Sequence, residues 1–291
     1  PLVVKADGLA AGKGVTVCED LTQAEAAIQD ALERRRFGQA GFRILIEEKL
    51  VGEELSVIAL CDGKTVLALE PAQDYKRAHD GDSGPNTGGM GSYSPVPSTS
   101  PEALGRVTEE ILLPIAEGLA EEGEPYVGVI YAGLMLTSEG PKVLEFNCRF
   151  GDPETQALIP RLESDLAEVF DACVSGSLEG VKLSWREEPC VAVVAASAGY
   201  PGPCRTGYVV EGLETAAAAT GLPVFQAATA PAAAGADGSV VTAGGRVLAV
   251  AALGSDFIAA RGRAYDGLAA ISFEGMWYRS DIAARAAASA T

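Results

Sequence analysis

The first residues of the chain hold a glycine-rich loop between two segments of strand-forming residues. The flanking segments, Leu2–Lys5 and Val15–Cys18, are rich in valine, and the loop contains Gly8, Gly12 and Gly14. β-Branched residues favour strands and glycine lets a chain reverse sharply, so we expect an antiparallel hairpin. Such a loop can fold closely over phosphate oxygens and direct backbone N–H groups at them. The alternative is an ordinary hairpin without a ligand.

This loop differs from the P-loop of nucleotide hydrolases. In a P-loop, the lysine is followed by Ser or Thr and the chain then enters a helix. Here Lys13 is followed by Gly14, the glycine spacing is one residue short, and a strand follows. Because Lys5 and Lys13 add positive charge, we expect a lid that lies over the phosphates of a nucleotide.

Oxygen donors on one face of a second predicted strand indicate a metal site. Side chains alternate between faces along residues 142–149, so Glu145, Asn147 and Arg149 share one face. A carboxylate and an amide oxygen about 7 Å apart suit Mg²⁺, which keeps several waters and bridges to nucleotide phosphates. Arg149 could hold a carboxylate or phosphate through paired hydrogen bonds. The alternative is a solvated strand face. The intervening residues are apolar, and we expect them to face the core: Leu144, Phe146 and Cys148.

A long segment between Pro71 and Pro97 contains a second glycine-rich loop. Segments of this length without regular periodicity are usually functional or disordered. Within it, Gly84–Gly91 has four glycines in eight residues, and Lys76 and Arg77 precede it. This composition predicts a nest of N–H donors for an anion, with a bare flexible loop as the alternative.

Composition excludes several classes of function. The chain has 22 Lys and Arg against 40 Asp and Glu, giving a formal charge of −18, and an acidic surface repels a nucleic-acid backbone. No apolar run approaches the roughly 20 residues that a membrane span requires. The single histidine, His79, is expected to be a solvated loop side chain, with a general base as the alternative. Because the sequence has no other histidine, it offers no Ser-His-Asp or Cys-His constellation. A phosphate lid, a metal face and an anion nest without a nucleophile fit phosphoryl transfer by positioning.

The six cysteines are scattered, with no C-x-x-C pair. This pattern fits reduced thiols in the cytoplasm better than a disulfide framework or a zinc site.

A change in amino-acid composition along the chain predicts two domains of α+β structure. Residues 1–185 hold the glycine-rich loops and the charged strand, whereas residues 186–291 are richer in alanine. Within the first domain we predict a helix over residues 101–121, kinked by Pro114, and a capping box of Thr22 and Glu25. Pro1 opens directly onto a strand, so we expect the sequence to begin inside a domain.

Four motifs resemble glycinamide ribonucleotide synthetases in content, order and spacing. They are Lys5–Val15, Ile46–Glu48 with Gly52–Glu54, Gly84–Gly91 with Tyr93–Pro95, and Leu144–Glu154. The resemblance continues through Gly199–Gly202, Arg205–Gly207 and Gly244–Arg246. It implies an ATP-grasp fold, in which two α+β subdomains clamp ATP, followed by a small α+β carboxyl-terminal domain.

The reaction implied by the resemblance joins glycine to 5-phosphoribosylamine. ATP is the co-substrate, glycyl phosphate is the intermediate, and glycinamide ribonucleotide, ADP and phosphate are the products, within de novo purine biosynthesis. The implied metal is Mg²⁺ or Mn²⁺. Small molecules are therefore the expected partners, without nucleic acid or membrane, and fusion to other purine-pathway domains is compatible with the family.

The resemblance also assigns roles to residues. It implies that ATP is bound by Lys5, Gly8, Gly12, Lys13, Gly14, Glu47, Glu48 and Glu54. It implies that the other substrates are bound by Asp74, Lys76, Asn86, Thr87, Gly88, Gly89, Arg149 and Asp152. It implies metal binding by Glu145 and Asn147, and catalytic roles for Lys5, Arg149 and Asp152.

The chain departs from the family pattern in two ways. Where the family usually has histidine in the motif Gln-Asp-His-Lys-Arg, this chain has Tyr75, which cannot perform imidazole chemistry. We also expect the upstream Rossmann-like domain of the family, and the first part of its ATP-grasp fold, to lie outside this sequence. Two alternatives stay open: a ligase for a different acid and amine, and an inactive fragment or nucleotide-binding module.

Overall fold

The computed structural model describes residues 1–10, 14–232 and 239–289. They belong to two compact units, Pro1–Glu53 with Thr137–Glu139, and Glu54–Leu136 with Gly140–Thr291. No helix in the described residues is long and apolar enough to cross a membrane. The boundary predicted between two domains, residues 1–185 and 186–291, stays a prediction.

The first unit is built on a three-stranded antiparallel sheet. Its strands are β1 (Leu2–Ala6), β2 (Val15–Cys18) and β3 (Ile44–Glu48), and β1 lies in the centre. Leu2 pairs with Cys18 and Lys5 with Val15, so the predicted hairpin is confirmed. Helix α1 (Leu21–Leu32) buries Ala24 and Ala27 against Val4 and Cys18.

The capping box predicted for α1 is wrong. Asp20 is the N-cap, and its Oδ1 accepts a hydrogen bond from the N–H of Gln23 at 2.8 Å. The helix therefore begins at Leu21, and Thr22 already lies inside its first turn, where its own side chain cannot cap the helix.

The second unit contains the remaining strands. In chain order they are β4 (Glu53–Asp62), β5 (Val66–Ala68), β6 (Gln73–Asp74), β7 (Arg77–His79), β8 (Ser83–Asn86), β9 (Gly91–Ser94), β10 (Val127–Thr137), β11 (Gly140–Asn147), β12 (Cys190–Ala196), β13 (Val209–Val210), β14 (Phe225–Gln226), β15 (Thr229–Pro231), β16 (Val240–Thr242) and β17 (Arg246–Leu253). In the described residues they form sheets of order β11-β10-β4-β5, β14-β17-β12-β9-β6 and β13-β16-β15, and a β7-β8 hairpin.

Helices flank these sheets. They are α2 (Pro101–Val107), α3 (Leu113–Glu121), α4 (Glu154–Leu158), α5 (Leu166–Ser175), α6 (Leu213–Thr220), α7 (Phe257–Ala269) and α8 (Ala284–Ser289), with a short 3₁₀ helix at Gly38–Gly41 in the first unit and another at Ile159–Arg161. A π-helical turn at Thr108–Leu112 separates α2 from α3. The turn lies immediately before Pro114, which has no N–H to donate to the preceding turn. Residues 101–121 are therefore helical, as predicted, with a π-helical turn ahead of Pro114, and the kink at Pro114 stays a prediction.

One sheet joins the middle of the chain to its last third. β9 pairs antiparallel with β12, with Cys190 opposite Ser94 and Val193 opposite Gly91. The core cluster of this unit likewise combines residues of both parts, including Tyr93, Val193 and Val250. The glycine-rich loop before β9 is therefore anchored to strands about 100 residues later in the chain.

A buried arginine fixes the carboxyl-terminal segment. Arg279 is 1 % exposed, and its guanidinium donates to both oxygens of Asp281 at 2.7 Å and to Asp82 Oδ1 at 3.0 Å. The guanidinium also lies 4.7 Å from the ring centre of Tyr75. These partners compensate the cost of burying its charge.

Removing this guanidinium should destabilise the protein strongly. We expect Arg279→Met to lower the free energy of unfolding by about 3 kcal/mol, because partly buried carboxylates lose their partner. Urea unfolding followed by circular dichroism measures the change. Arg106→Met, which removes an exposed pairing with Glu110, is the control and should leave the unfolding midpoint nearly unchanged. An Arg279→Met midpoint equal to that of the control would contradict the assignment.

Candidate active site

Four carboxyl groups and one ammonium group converge in the second unit. They belong to Glu54, Asp74, Glu145, Glu154 and Lys76, and they come from β4, β6, β11, the start of α4 and the segment after β6. Burial raises the pKa of Asp74 well above its ordinary value, and the negative charges of Glu154, Glu54 and Glu145 raise it further, against the opposing charge of Lys76. We call this group the carboxyl cluster. Glu154 is buried in this cluster, whereas Glu145 is exposed and the side chain of Glu54 is 40 % exposed.

Lys76 is the basic member of the cluster. Its Nζ lies 2.9 Å from Glu54 Oε2. Burial alone would lower the pKa of Lys76, but the charges of Asp74 and Glu54 outweigh burial and raise that pKa. The ammonium group therefore stays protonated and offsets part of the negative charge.

Glu145 and Asn147 lie on one face of β11. Asn147 Nδ2 donates to Glu145 Oε1 at 3.3 Å, as the alternation of the strand predicts. Gly133 on the neighbouring strand leaves room for this glutamate, since a Cβ there would lie 3.2 Å from Glu145 Cγ. No group of three or more His, Cys, Asp or Glu side chains suited to a metal occurs in the part of the chain that the structure describes. A carboxylate with one amide is the smaller donor set that Mg²⁺ accepts, because it retains waters.

The opposite face of β11 does not face the core as predicted. Phe146 is 38 % exposed and Cys148 is exposed, while Leu144 is only half-buried. β11 is the edge strand of its sheet, so only β10 flanks it. Glu145 and Arg149 on the other face are exposed as well, so alternation separated the two faces of this strand but did not predict how much of each is exposed.

Glu154 is a site residue that the sequence did not reveal. It is 2 % exposed, and its Oε1 accepts hydrogen bonds from Ser56 Oγ and Tyr131 Oη, both at 2.9 Å. Gly151 makes room for it, since a Cβ there would lie 2.5 Å from Glu154 Oε2. In the sequence, Glu154 resembles an ordinary residue of a helix start, and its only signal was its place directly after Asp-Pro.

The loop Gly84–Gly91 is not a nest of free donors, so that prediction is wrong. Thr87 N–H donates to Lys76 O at 2.7 Å, and Gly88 N–H donates to Tyr200 Oη at 2.9 Å. Gly89 N–H donates to Thr87 Oγ1 at 3.0 Å. The glycines instead permit close packing, because a Cβ at Gly89, where φ is +107°, would collide with Pro153.

Arg246 joins this loop to Asp152, and it too was not identified from the sequence. Its Nη1 donates to Gly88 O at 2.7 Å and to Asp152 O at 2.8 Å. Its Nη2 lies 3.1 Å from Asp152 Oδ2. Gly88 and Asp152, both predicted from the resemblance, are thus brought together by a residue of β17.

Two other predicted substrate residues, Asn86 and Arg149, form hydrogen bonds with residues outside the predicted set. Asn86 Oδ1 accepts a hydrogen bond from Arg77 Nη1 at 3.0 Å, on the exposed β7-β8 hairpin. Arg149 is exposed, and its Nη1 donates to Phe150 O at 2.8 Å. His79 is exposed, as expected, with its ring centre 6.0 Å from that of Trp277.

Tyr75 faces the core between two members of the carboxyl cluster. It is 3 % exposed, and its Oη accepts the N–H of Ala283 at 3.0 Å. Burial raises the pKa of its phenol. The side chain at this position therefore packs against the carboxyl-terminal segment, while Asp74 and Lys76 point to the cluster.

The first unit contains the remaining predicted ATP residues. Lys5 Nζ lies 2.7 Å from Glu47 Oε2, across the pairing of β1 with β3. Ala6 N–H donates to Gly14 O at 2.8 Å, and Gly8 N–H donates to Ala40 O at 3.0 Å. Glu48 is an exposed residue at the end of β3. Two further predicted residues, Gly12 and Lys13, lie outside the described residues.

Comparison with known proteins identifies the relatives of this chain. The family model for the phosphoribosylglycinamide synthetase ATP-grasp (A) domain matches residues 1–155, and the model for the C domain of the same synthetase matches residues 190–285. A phosphoribosylamine–glycine ligase of Pseudomonas aeruginosa is 52 % identical over 289 residues, which are 99 % of this chain and 66 % of that protein. A trifunctional purine biosynthetic protein of Gallus gallus is 50 % identical over 99 % of this chain and 28 % of its own length.

Solved structures agree with these matches. The phosphoribosylamine–glycine ligase of Thermotoga maritima superposes with a TM-score of 0.78 at 36 % identity, covering 97 % of this chain and 68 % of that one. The biotin carboxylase domain of a Hydrogenobacter thermophilus 2-oxoglutarate carboxylase, 13 % identical, gives a TM-score of 0.64 over 95 % of this chain and 58 % of that one, and shares the fold alone.

These matches confirm the predicted α+β ATP-grasp fold. The chain spans 66 % of the length of the Pseudomonas relative. Because the ATP-grasp family model matches more than half of the chain, and the C-domain model most of the remainder, the chain belongs to the phosphoribosylglycinamide synthetase family.

Proposed function

We propose that this chain forms the ATP-grasp and carboxyl-terminal parts of a ligase that joins glycine to 5-phosphoribosylamine at the expense of ATP. The observation that carries the proposal is the carboxyl cluster, one member of which, Glu145, shares a strand face with Asn147. The relative from Pseudomonas aeruginosa, named for this reaction, matches 99 % of the chain. The products would be glycinamide ribonucleotide, ADP and phosphate.

The donor set fits a divalent cation. Glu145 and Asn147 would hold Mg²⁺, and the same oxygen donors also accept Mn²⁺. Burial, and after it the charge of Glu154, raises the pKa of Asp74, and a cation bound nearby would favour its ionised form. When bound, the ion neutralises charge on the phosphate oxygens of ATP.

The side chains have separate tasks in the two stages of the reaction. Lys5, with the loop Gly8–Gly14 and the acidic residues Glu47, Glu48 and Glu54, would bind ATP. In the first stage a glycine carboxylate oxygen attacks the γ-phosphorus, and the bond to the leaving ADP breaks. In the second stage the amine of phosphoribosylamine attacks the glycyl carbonyl carbon, the bond to phosphate breaks, and the amine releases a proton.

Positioning of the two smaller substrates is assigned to the second unit. Asp74, Lys76 and Asp152 supply charge for the amino and carboxylate groups of glycine, and Arg149 supplies a guanidinium for a carboxylate or phosphate. Asn86, Thr87, Gly88 and Gly89 supply the loop that borders them. Exclusion of water from the mixed anhydride would protect the intermediate from hydrolysis.

The setting of the enzyme follows from the same proposal. All six cysteines are free, in agreement with a reducing compartment, and we propose the cytoplasm. The Gallus gallus relative is named a trifunctional protein, and this name supports fusion to other purine-pathway domains as part of the proposal.

Phosphate release tests the proposed reaction directly. We expect release to require ATP, Mg²⁺, glycine and freshly made phosphoribosylamine, measured with this chain and with a chain extended upstream to the length of the relatives. Activity in the extended chain alone would show that the upstream part is required. Stimulation by another amino acid in place of glycine would favour a different ATP-grasp ligase. Absence of release from both chains would contradict the proposal and favour a nucleotide-binding module.

Substitution of Glu145 tests the metal assignment. We expect Glu145→Gln to lower kcat/KM by about 100-fold at low Mg²⁺, because a neutral amide is a weaker ligand than a carboxylate, with partial recovery as Mg²⁺ is raised. Steady-state phosphate release over a range of Mg²⁺ concentrations measures the effect. Glu121→Gln, an exposed change at the end of α3, is the matched control. A Glu145→Gln enzyme with the Mg²⁺ dependence of the control would remove Glu145 from the metal site.

A further inference from the structure

Arg246 holds two separate segments of the site through one side chain. Its guanidinium donates to Gly88 O, to Asp152 O and, at 3.2 Å and 3.1 Å, to the two carboxylate oxygens of Asp152. It also lies 3.4 Å from Gly89 O. A planar guanidinium with fixed donor directions can satisfy several acceptors only if they keep one arrangement.

Tyr200 completes the hold on Gly88. Its Oη accepts the N–H of Gly88 at 2.9 Å, while Arg246 binds the carbonyl oxygen of the same residue. Glycine is needed at two points of this contact. A Cβ at Gly88 would lie 2.9 Å from the Arg246 guanidinium, and a Cβ at Gly245 would collide with the Tyr200 ring. Both polar groups of Gly88 are therefore fixed by residues from the last third of the chain.

Stability alone does not explain this contact. The side chains of Arg246 and Asp152 are 20 % and 44 % exposed, and ion pairs that open to solvent usually contribute less than about 1 kcal/mol. Gln156 Nε2 also donates to Asp152 Oδ1 at 3.0 Å, so the carboxylate has a second partner. What the guanidinium determines is the relative position of Asp152 and the Gly88–Gly89 peptide.

We propose that Arg246 is a positioning residue for the two substrates other than ATP. The inference rests on the proposed function, in which Asp152 and the Asn86–Gly89 loop border glycine and phosphoribosylamine. Arg246 acts through these residues. Within the described residues, its guanidinium bonds to Gly88, Gly89 and Asp152 and not to Glu54, Glu145 or Asn147, so we expect its loss to leave these proposed ATP and metal ligands in place.

Kinetics of the complete enzyme, with the upstream part found in its relatives, test the proposal. We expect Arg246→Met to raise the KM for glycine or phosphoribosylamine about 10- to 100-fold, with the KM for ATP unchanged. For Arg246→Lys, the same KM should lie between those of the wild type and Arg246→Met, because lysine restores one charged contact but not the paired donors of a guanidinium. Arg186→Met, at an exposed position, is the control and should behave as wild type. Equal changes in all three KM values, or no change, would overturn the proposal.

Hydrogen exchange separates this inference from the proposed reaction. In Arg246→Met we expect faster amide exchange in the peptide covering residues 84–91, with the thermal midpoint of the protein unchanged, and no such change in Arg186→Met. Unchanged exchange in that peptide, or a lowered midpoint with faster exchange throughout the unit, would overturn the positioning role. If the unaltered complete enzyme releases no glycine-dependent phosphate, the proposed function fails, and exchange still decides whether Arg246 fixes the loop.

Discussion

Burial of Asp74 among other carboxyl groups is the constraint on which the rest of the site depends. Placing Asp74 and the buried Glu154 near Glu54 and Glu145 is unfavourable unless partners compensate for it. The structure supplies an ammonium group from Lys76 and two hydroxyl donors to Glu154. The pKa of Asp74 nevertheless stays raised, first by its burial and then by the charge of Glu154. A site in this condition favours cations, which suits chemistry on a nucleotide that carries a metal.

The pairing of β9 with β12 gives the site its frame. Because Ser94 lies opposite Cys190, the loop that precedes β9 is held next to strands from the last third of the chain. Tyr200 and Arg246 can then reach the N–H and the carbonyl group of Gly88. The carboxyl-terminal part therefore contributes directly to the positioning of residues near the proposed substrates, although few of its own charged residues stand out in the sequence.

Local periodicity predicted the structural features that depend on neighbouring residues in the sequence. It failed for features that are determined by contacts between distant residues. The hairpin of β1 with β2 and the shared face of Glu145 and Asn147 follow from strand-forming residues and from alternation, and both are present. In the loop Gly84–Gly91, the N–H group of Gly88 is not free as expected, because it donates to Tyr200 Oη, more than 100 residues later in the chain. Glu154 was missed because its burial depends on hydroxyls from β4 and β10.

The segment Asp74–Lys76 has two faces, and this explains how a tyrosine is accommodated at the position of the family's usual histidine. Asp74 and Lys76 point to the carboxyl cluster, so the side chain between them points away from it, and Tyr75 lies in the core. There its hydroxyl accepts the N–H of Ala283 and its ring packs on the Arg279 guanidinium. The tyrosine ring at this position anchors the segment that carries Asp74 and Lys76. Because its hydroxyl contact is with the carboxyl-terminal segment, Tyr75 influences the carboxyl cluster through the placement of Asp74 and Lys76.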